Sequence, residues 1–175
     1  MSLRSLFEWV NVLPSSIALR ESLNAYPAIL TAHVVSMCLF AGLIFFWDMR
    51  LMGLALKPVP VSNIQTRIFP WAMVGFTISA VTGFLLFYSQ PMRYYGNFYF
   101  WVKNLMMILV GVNALVFHLT TYHSVATWDR TAITPVAARV AGIVSLVLWV
   151  GIVVTGRMIA YSGLAPAWWV GLNLE

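Results

Sequence analysis

Residues 25–47 read AYPAILTAHVVSMCLFAGLIFFW, 23 residues without a formal charge and with one histidine, His33. At about 1.5 Å of rise per residue, a helix of this length crosses the roughly 30 Å hydrocarbon core of a bilayer. A histidine inside such a span is rare and marks a candidate functional position. The rest of the chain is read by asking what else reaches its depth.

Composition points the same way. With 61% hydrophobic residues, 9% charged residues and a mean hydropathy of +0.86, the chain has too few polar side chains to cover a surface in water. The expected fold is all-α: a polytopic membrane protein built as a four-transmembrane-helix bundle with short N-terminal interfacial helices. The net charge of +5 would suit nucleic acid in a soluble protein, but the cations are sparse and flank apolar segments. Anionic lipid headgroups, not nucleic acid, are the expected partner. The single cysteine, Cys38, excludes an intrachain disulfide.

Three more spans follow the first, whose helix is able to continue past Asp48 towards Leu56 before Lys57-Pro58-Val59-Pro60 ends it. The second is expected at about 69–88, entered through Pro70, since a first helical turn tolerates proline. The third covers 98–122 and contains Lys103; the fourth covers 136–160, with Arg139 near its start and Arg157 near its end. Residues 1–24 read as two retained interfacial helices, the first with Leu3, Leu6, Phe7 and Val10 on one face, the second capped by Ser15 or Ser16. Glu8, Asn11 and Pro14 interrupt any signal-peptide core. The transmembrane domain thus occupies 25–161, and 162–175, with Trp168 and Trp169, forms an interfacial tail.

An even number of spans puts both termini on one side. The loops opposite hold Arg50, Lys57, Arg67, Arg130 and Arg139, against Arg4, Arg20 and Arg93 on the terminal side. That excess favours cytoplasmic loops and outward-facing termini.

Depth counting gathers a candidate site. Measured from the terminal side, His33 lies about 12 Å in, Lys103 about 8 Å and Arg157 about 6 Å. His118 lies about 30 Å along, near the loops, so it and His33 cannot ligate one metal atom. Lys103, Met107, Gly111, Ala114 and His118 form one stripe, expected to face the bundle interior because it carries a charge. Gly75, Ser79 and Gly83 form a small-residue ladder suited to close helix approach.

His33, Phe40-Ala41-Gly42 and Asp48-Met49-Arg50-Leu51 resemble the first helix of the HemJ-type protoporphyrinogen oxidases and of the copper-resistance protein D family. Trp101-Val102-Lys103-Asn104-Leu105 followed by His118 is similar to their lysine-bearing helix. The whole chain more closely resembles an uncharacterised bacterial four-span family, through Val59-Pro60-Val61-Ser62, Phe117-His118-Leu119-Thr120-Thr121-Tyr122 and Gly156-Arg157-Met158-Ile159-Ala160-Tyr161. These resemblances imply a bacterial inner-membrane location, a haem ligand at His33 and an essential lysine at Lys103. One departure is Met49-Arg50, where HemJ-type first helices carry proline-arginine.

The leading functional expectation is haem b between the helices, serving redox or electron transfer, with His33 as the axial metal ligand. Lys103 serves as second ligand if deprotonated, and Arg157 and Arg93 pair with propionates. His118 would belong to a second site, with Asp48 or Trp71 nearby. Copper handling is the first alternative, since His33, Met37 and Cys38 offer ligands suited to Cu(I). A non-catalytic anchor subunit is another, as a homo-oligomer or beside a redox partner protein. The plainest reading makes His33 an interhelical contact to Ser36, Ser79 or Thr82, with Lys103 and Arg157 snorkelling to the interface.

Overall fold

The computed structural model describes residues 3–129, 134–161, 166 and 169. Two short helices, α1 (Leu3–Asn11) and α2 (Pro14–Glu21), precede the first long one, α3 (Ala25–Leu51). Helix α4 (Val61–Ser89) is followed by the short α5 (Pro91–Tyr95) and by α6 (Phe98–Thr120). A single turn of 3-10 helix and α7 (Val125–Trp128) lead to α8 (Val136–Met158). The described residues are all helix and connection, and four of the helices are long and apolar enough to cross a membrane. The protein is a multi-pass membrane protein.

The outer faces carry the signature of a lipid environment. Leu30, Val35, Trp71, Phe84, Ile108 and Val147 are exposed, while Ser36, Asp48, Arg50, Thr82 and Ser145 are buried. In water this distribution would be unfavourable; against acyl chains, polar groups are the ones that must turn inward.

Small residues set the helix pairings. A Cβ at Gly75 would lie 3.1 Å from both the Phe40 amide nitrogen and the Ser36 carbonyl oxygen, so α3 and α4 approach backbone to backbone. Gly142 does the same for α8 against α3, 3.1 Å from the Asp48 carbonyl oxygen. A Cβ at Gly151 would lie 2.7 Å from the Met106 sulfur, so the missing side chain seats α6 on α8. Helices α4 and α6 barely touch along their backbones. The four spans therefore follow an arc, α4–α3–α8–α6, with α4 and α6 linked by aromatic side chains at the terminal side. There Phe87 stacks on Phe100 at 5.7 Å, and Phe7 of α1 meets Phe87 and Tyr95 edge-on. Buried Ser16 of α2 donates to the Tyr88 carbonyl at 2.8 Å, so both N-terminal helices dock on the bundle end.

Several boundaries differ from those expected. Helix α3 stops at Leu51, turning through Gly53 at φ +73° rather than running to Leu56. Helix α4 begins at Val61, eight residues early, so Pro70 lies inside it and not at its entry. The cause is distant in sequence: Asp129 accepts from the Ser62 amide at 2.8 Å and from its hydroxyl at 2.6 Å, capping the helix start. The caps expected of Ser15 or Ser16 are also replaced, since α2 starts at Pro14 after Leu13 with no side-chain cap.

Asp129 belongs to a buried polar knot on the loop side. Arg50, 1% exposed, donates through Nε to the Val59 carbonyl at 2.9 Å and through Nη1 to Thr134 Oγ1 at 3.3 Å, and Asp129 acts on it electrostatically. Around the knot pack Leu51, Val61, Phe117, Trp128 and Ala138. Arg139 joins them by donating to the Thr134 carbonyl. Of the expected tail, Trp169 donates to the Gly96 carbonyl at 2.9 Å and packs on Phe98; Trp168 lies outside the described residues, as does Arg130.

Candidate functional site

His33 sits in the terminal half of α3, on the face turned to α4 and half-buried. Its Nδ1 is 2.9 Å from the Ser79 carbonyl oxygen and 3.2 Å from Thr82 Oγ1. A carbonyl only accepts, and Thr82 spends its own proton on the Ile78 carbonyl at 2.6 Å. Nδ1 must therefore carry hydrogen, and in the neutral ring Nε2 holds the lone pair. No described residue hydrogen-bonds Nε2. Gly83 makes the arrangement possible: a Cβ there would stand 2.9 Å from Cε1 and 3.9 Å from Nε2, so only glycine lets the ring lie against α4.

Lys103 approaches from the far end of the arc. Its chain runs over α8, with Nζ 3.7 Å from where a Gly156 Cβ would stand, and it is close enough to His33 to act on it electrostatically. The structure thus brings together the histidine of α3 and the lysine of α6 in one layer, each seated on a glycine of a neighbouring helix.

The other expected members do not face this pair. Arg157 is exposed, its Nη2 donating to the Tyr161 hydroxyl at 3.0 Å and its guanidinium 5.3 Å from that ring's centre. Arg93 is exposed too and donates to Gln90 Oε1 at 3.1 Å. His118 is exposed and stacks on Tyr122 at 5.1 Å, on the loop side. The stripe expected to face inward therefore faces outward beyond Lys103, with Met107, Gly111, Ala114 and His118 all exposed. Met106, Val110, Asn113 and Phe117 take the inward line, where Asn113 donates to the Ala141 carbonyl at 3.0 Å. Cys38 is exposed as well, on a different face from His33. Among the described residues, no three of His, Cys, Asp and Glu are grouped as a metal cluster.

A second polar feature lies about 22 Å further along α3 at its rise per residue. Asp48 is 2% exposed, hydrogen-bonded to the side chain of Ser145, and its Oδ2 has no hydrogen-bond partner. The readable signal was the pair Gly142 and Ser145 on α8, small residues three apart that admit a close neighbour. At the terminal side, just outside the spans, Tyr94 is enclosed by Phe87, Phe100 and Tyr26. Burial, then the neighbouring Tyr26, pushes its phenol up to about 12, against the pull of Arg93.

The chain belongs to a family of unknown function (DUF6644), whose model matches residues 23–162. That match spans α3 to α8 and stops short of the two N-terminal helices. Comparison with curated proteins and with solved structures gives no match.

Proposed function

We propose that this member of the DUF6644 family binds a b-type haem in the terminal half of its bundle, with His33 as axial ligand, and serves membrane redox or electron transfer. The observation that carries this reading is the hydrogen bond from His33 Nδ1 to the Ser79 carbonyl. Such a bond fixes the tautomer and orientation of a ligating imidazole and leaves Nε2 free for iron. Lys103, which reaches the same layer from α6, would be the candidate for a second donor to the haem. Arg157 and Arg93 would hold propionates only after leaving Tyr161 and Gln90. When bound, the haem would supply one-electron chemistry.

The copper reading has less support, because exposed Cys38 cannot join His33 around one ion without turning α3. The cation excess in the loops supports termini on the periplasmic side of a bacterial inner membrane. Either a second copy or a redox protein would complete an electron path.

The test is an absorption spectrum of protein purified from haem-replete cells, before and after dithionite. A Soret band with a sharpened α band, lost in His33→Ala, is the expected result. A folded, colourless protein with no extractable haem would overturn the proposal and leave His33 as an interhelical hydrogen bond.

A further inference from the structure

Helix α1 divides its surface three ways. Phe7 meets the bundle, edge-on to Phe87 at 5.3 Å and to Tyr95 at 5.4 Å. By helical turn, Leu3, Leu6 and Trp9 fall to one side of Phe7, at about 40°, about 100° and about 160°, while Arg4 and Glu8 fall to the other, at about 60° and about 100°. Arg4 Nε donates to Glu8 Oε1 at 3.0 Å, so the charged flank is closed on itself. The apolar flank is open: Leu3, Leu6 and Trp9 are all exposed, and no residue of α1 is buried.

The contacts of Phe7 also fix the height of this flank. Phe87 stands two residues before the end of α4, about 3 Å from the edge of that span. Tyr95 ends α5, in the connection between α4 and α6, and meets Trp101 at 6.4 Å. Tyrosine and tryptophan collect where hydrocarbon gives way to headgroups. Helix α1 is therefore held beside the bundle at the water–lipid boundary, with a charged flank on one side of its contact and an apolar flank on the other. A helix that lies in that boundary while leaning on a protein requires this division of its surface. The lipid around the four spans reaches the same edge, so the bilayer is continuous with the open flank.

We propose that the flank of Leu3, Leu6 and Trp9 is a docking surface for the bilayer itself, its side chains seated among acyl chains just below the headgroups of the terminal leaflet while Arg4 and Glu8 stay in water. The anchor works by apolar insertion and not by charge, because the arginine of α1 is already paired within the helix. It needs no anionic lipid. The surface is independent of His33 and of any haem, and it lies outside the residues that the family model matches.

The test places a bimane fluorophore on the whole protein, in a Cys38→Ser background, through Leu6→Cys or through Glu8→Cys. Both positions are exposed, so labelling leaves the packing of Phe7 intact. Each labelled protein is reconstituted into phosphatidylcholine nanodiscs with and without brominated acyl chains, and each is titrated with aqueous iodide. The expected result is fluorescence at position 6 quenched about twofold or more by brominated lipid and little by iodide, with the reverse at position 8. Adding phosphatidylglycerol or raising the salt leaves both values unchanged. Equal quenching at the two positions, by either agent, would show that α1 has no lipid-facing flank. Shielding of position 6 from both agents would put a second copy or another protein there, and quenching by brominated lipid only with phosphatidylglycerol present would make charge the anchor. Each of these overturns the proposal.

Discussion

His33 Nδ1 lies 2.9 Å from the carbonyl oxygen of Ser79, and that bond exists because residue 83, one turn further along α4, is glycine. Replacing Gly83 by alanine puts a methyl group 2.9 Å from Cε1, so the ring must swing and the bond must stretch. We expect Gly83→Ala to lower thermal stability in detergent by about 1–3 kcal/mol, the usual cost of overpacking. If His33 ligates haem, the variant also shifts or loses the Soret band. Ser79→Ala, which keeps the accepting carbonyl, leaves the band in place.

How far this arrangement was legible depends on the range of the contacts that make it. The four spans follow from local composition, and the shared layer of His33 and Lys103 follows from counting rise per residue, so both were readable. The facing of α6 was misread because steps of four, four, three and four drift about 60° round a helix over fifteen residues. Lys103 and His118 therefore look out in different directions, and only Phe117, one residue earlier, continues the buried line. The start of α4 was missed because its cap comes from Asp129, 67 residues away. The burial of Asp48 depends on Gly142 and Ser145, distant positions that span length and hydropathy do not register.

Lys103 separates a ligand from a packing cation. A lysine held only by its stem loses little when replaced by methionine, which keeps the packing and removes the charge. Lys103→Met should therefore leave the melting temperature within a few degrees of wild type. If the amine occupies an axial position, the same variant converts a low-spin spectrum to a high-spin one. An unchanged spectrum assigns Lys103 to the walls of the site.

The loop-side knot predicts a graded pair of losses. Asp129→Ala removes two hydrogen bonds to Ser62 and the charge beside Arg50, and should cost about 1–2 kcal/mol, the range for a lost helix cap. Arg50→Met strands the Val59 carbonyl and the Thr134 hydroxyl in a buried setting and should cost more, about 2–5 kcal/mol for the two unpaired groups together. Thermal unfolding in detergent orders the two. A larger loss for Asp129→Ala would show that the cap, not the arginine, holds the loops together.

Tyr94 gives the protein an alkaline limit of known sign. Its phenol is pushed up to about 12 by burial and by Tyr26, whereas an unfolded tyrosine ionises near pH ~10. Below that value both states keep the proton and stability is unaffected. As pH rises from about 10 towards 12, the unfolded chain releases a proton that the folded protein retains, so stability falls across that window. Tyr94→Phe removes the dependence but also the hydrogen bond to Tyr26, so the variant starts less stable at pH 9 and converges on wild type as pH rises. Melting temperatures of both proteins measured from pH 9 to 12 check this, and parallel curves would show that Tyr94 ionises as readily in the fold as outside it.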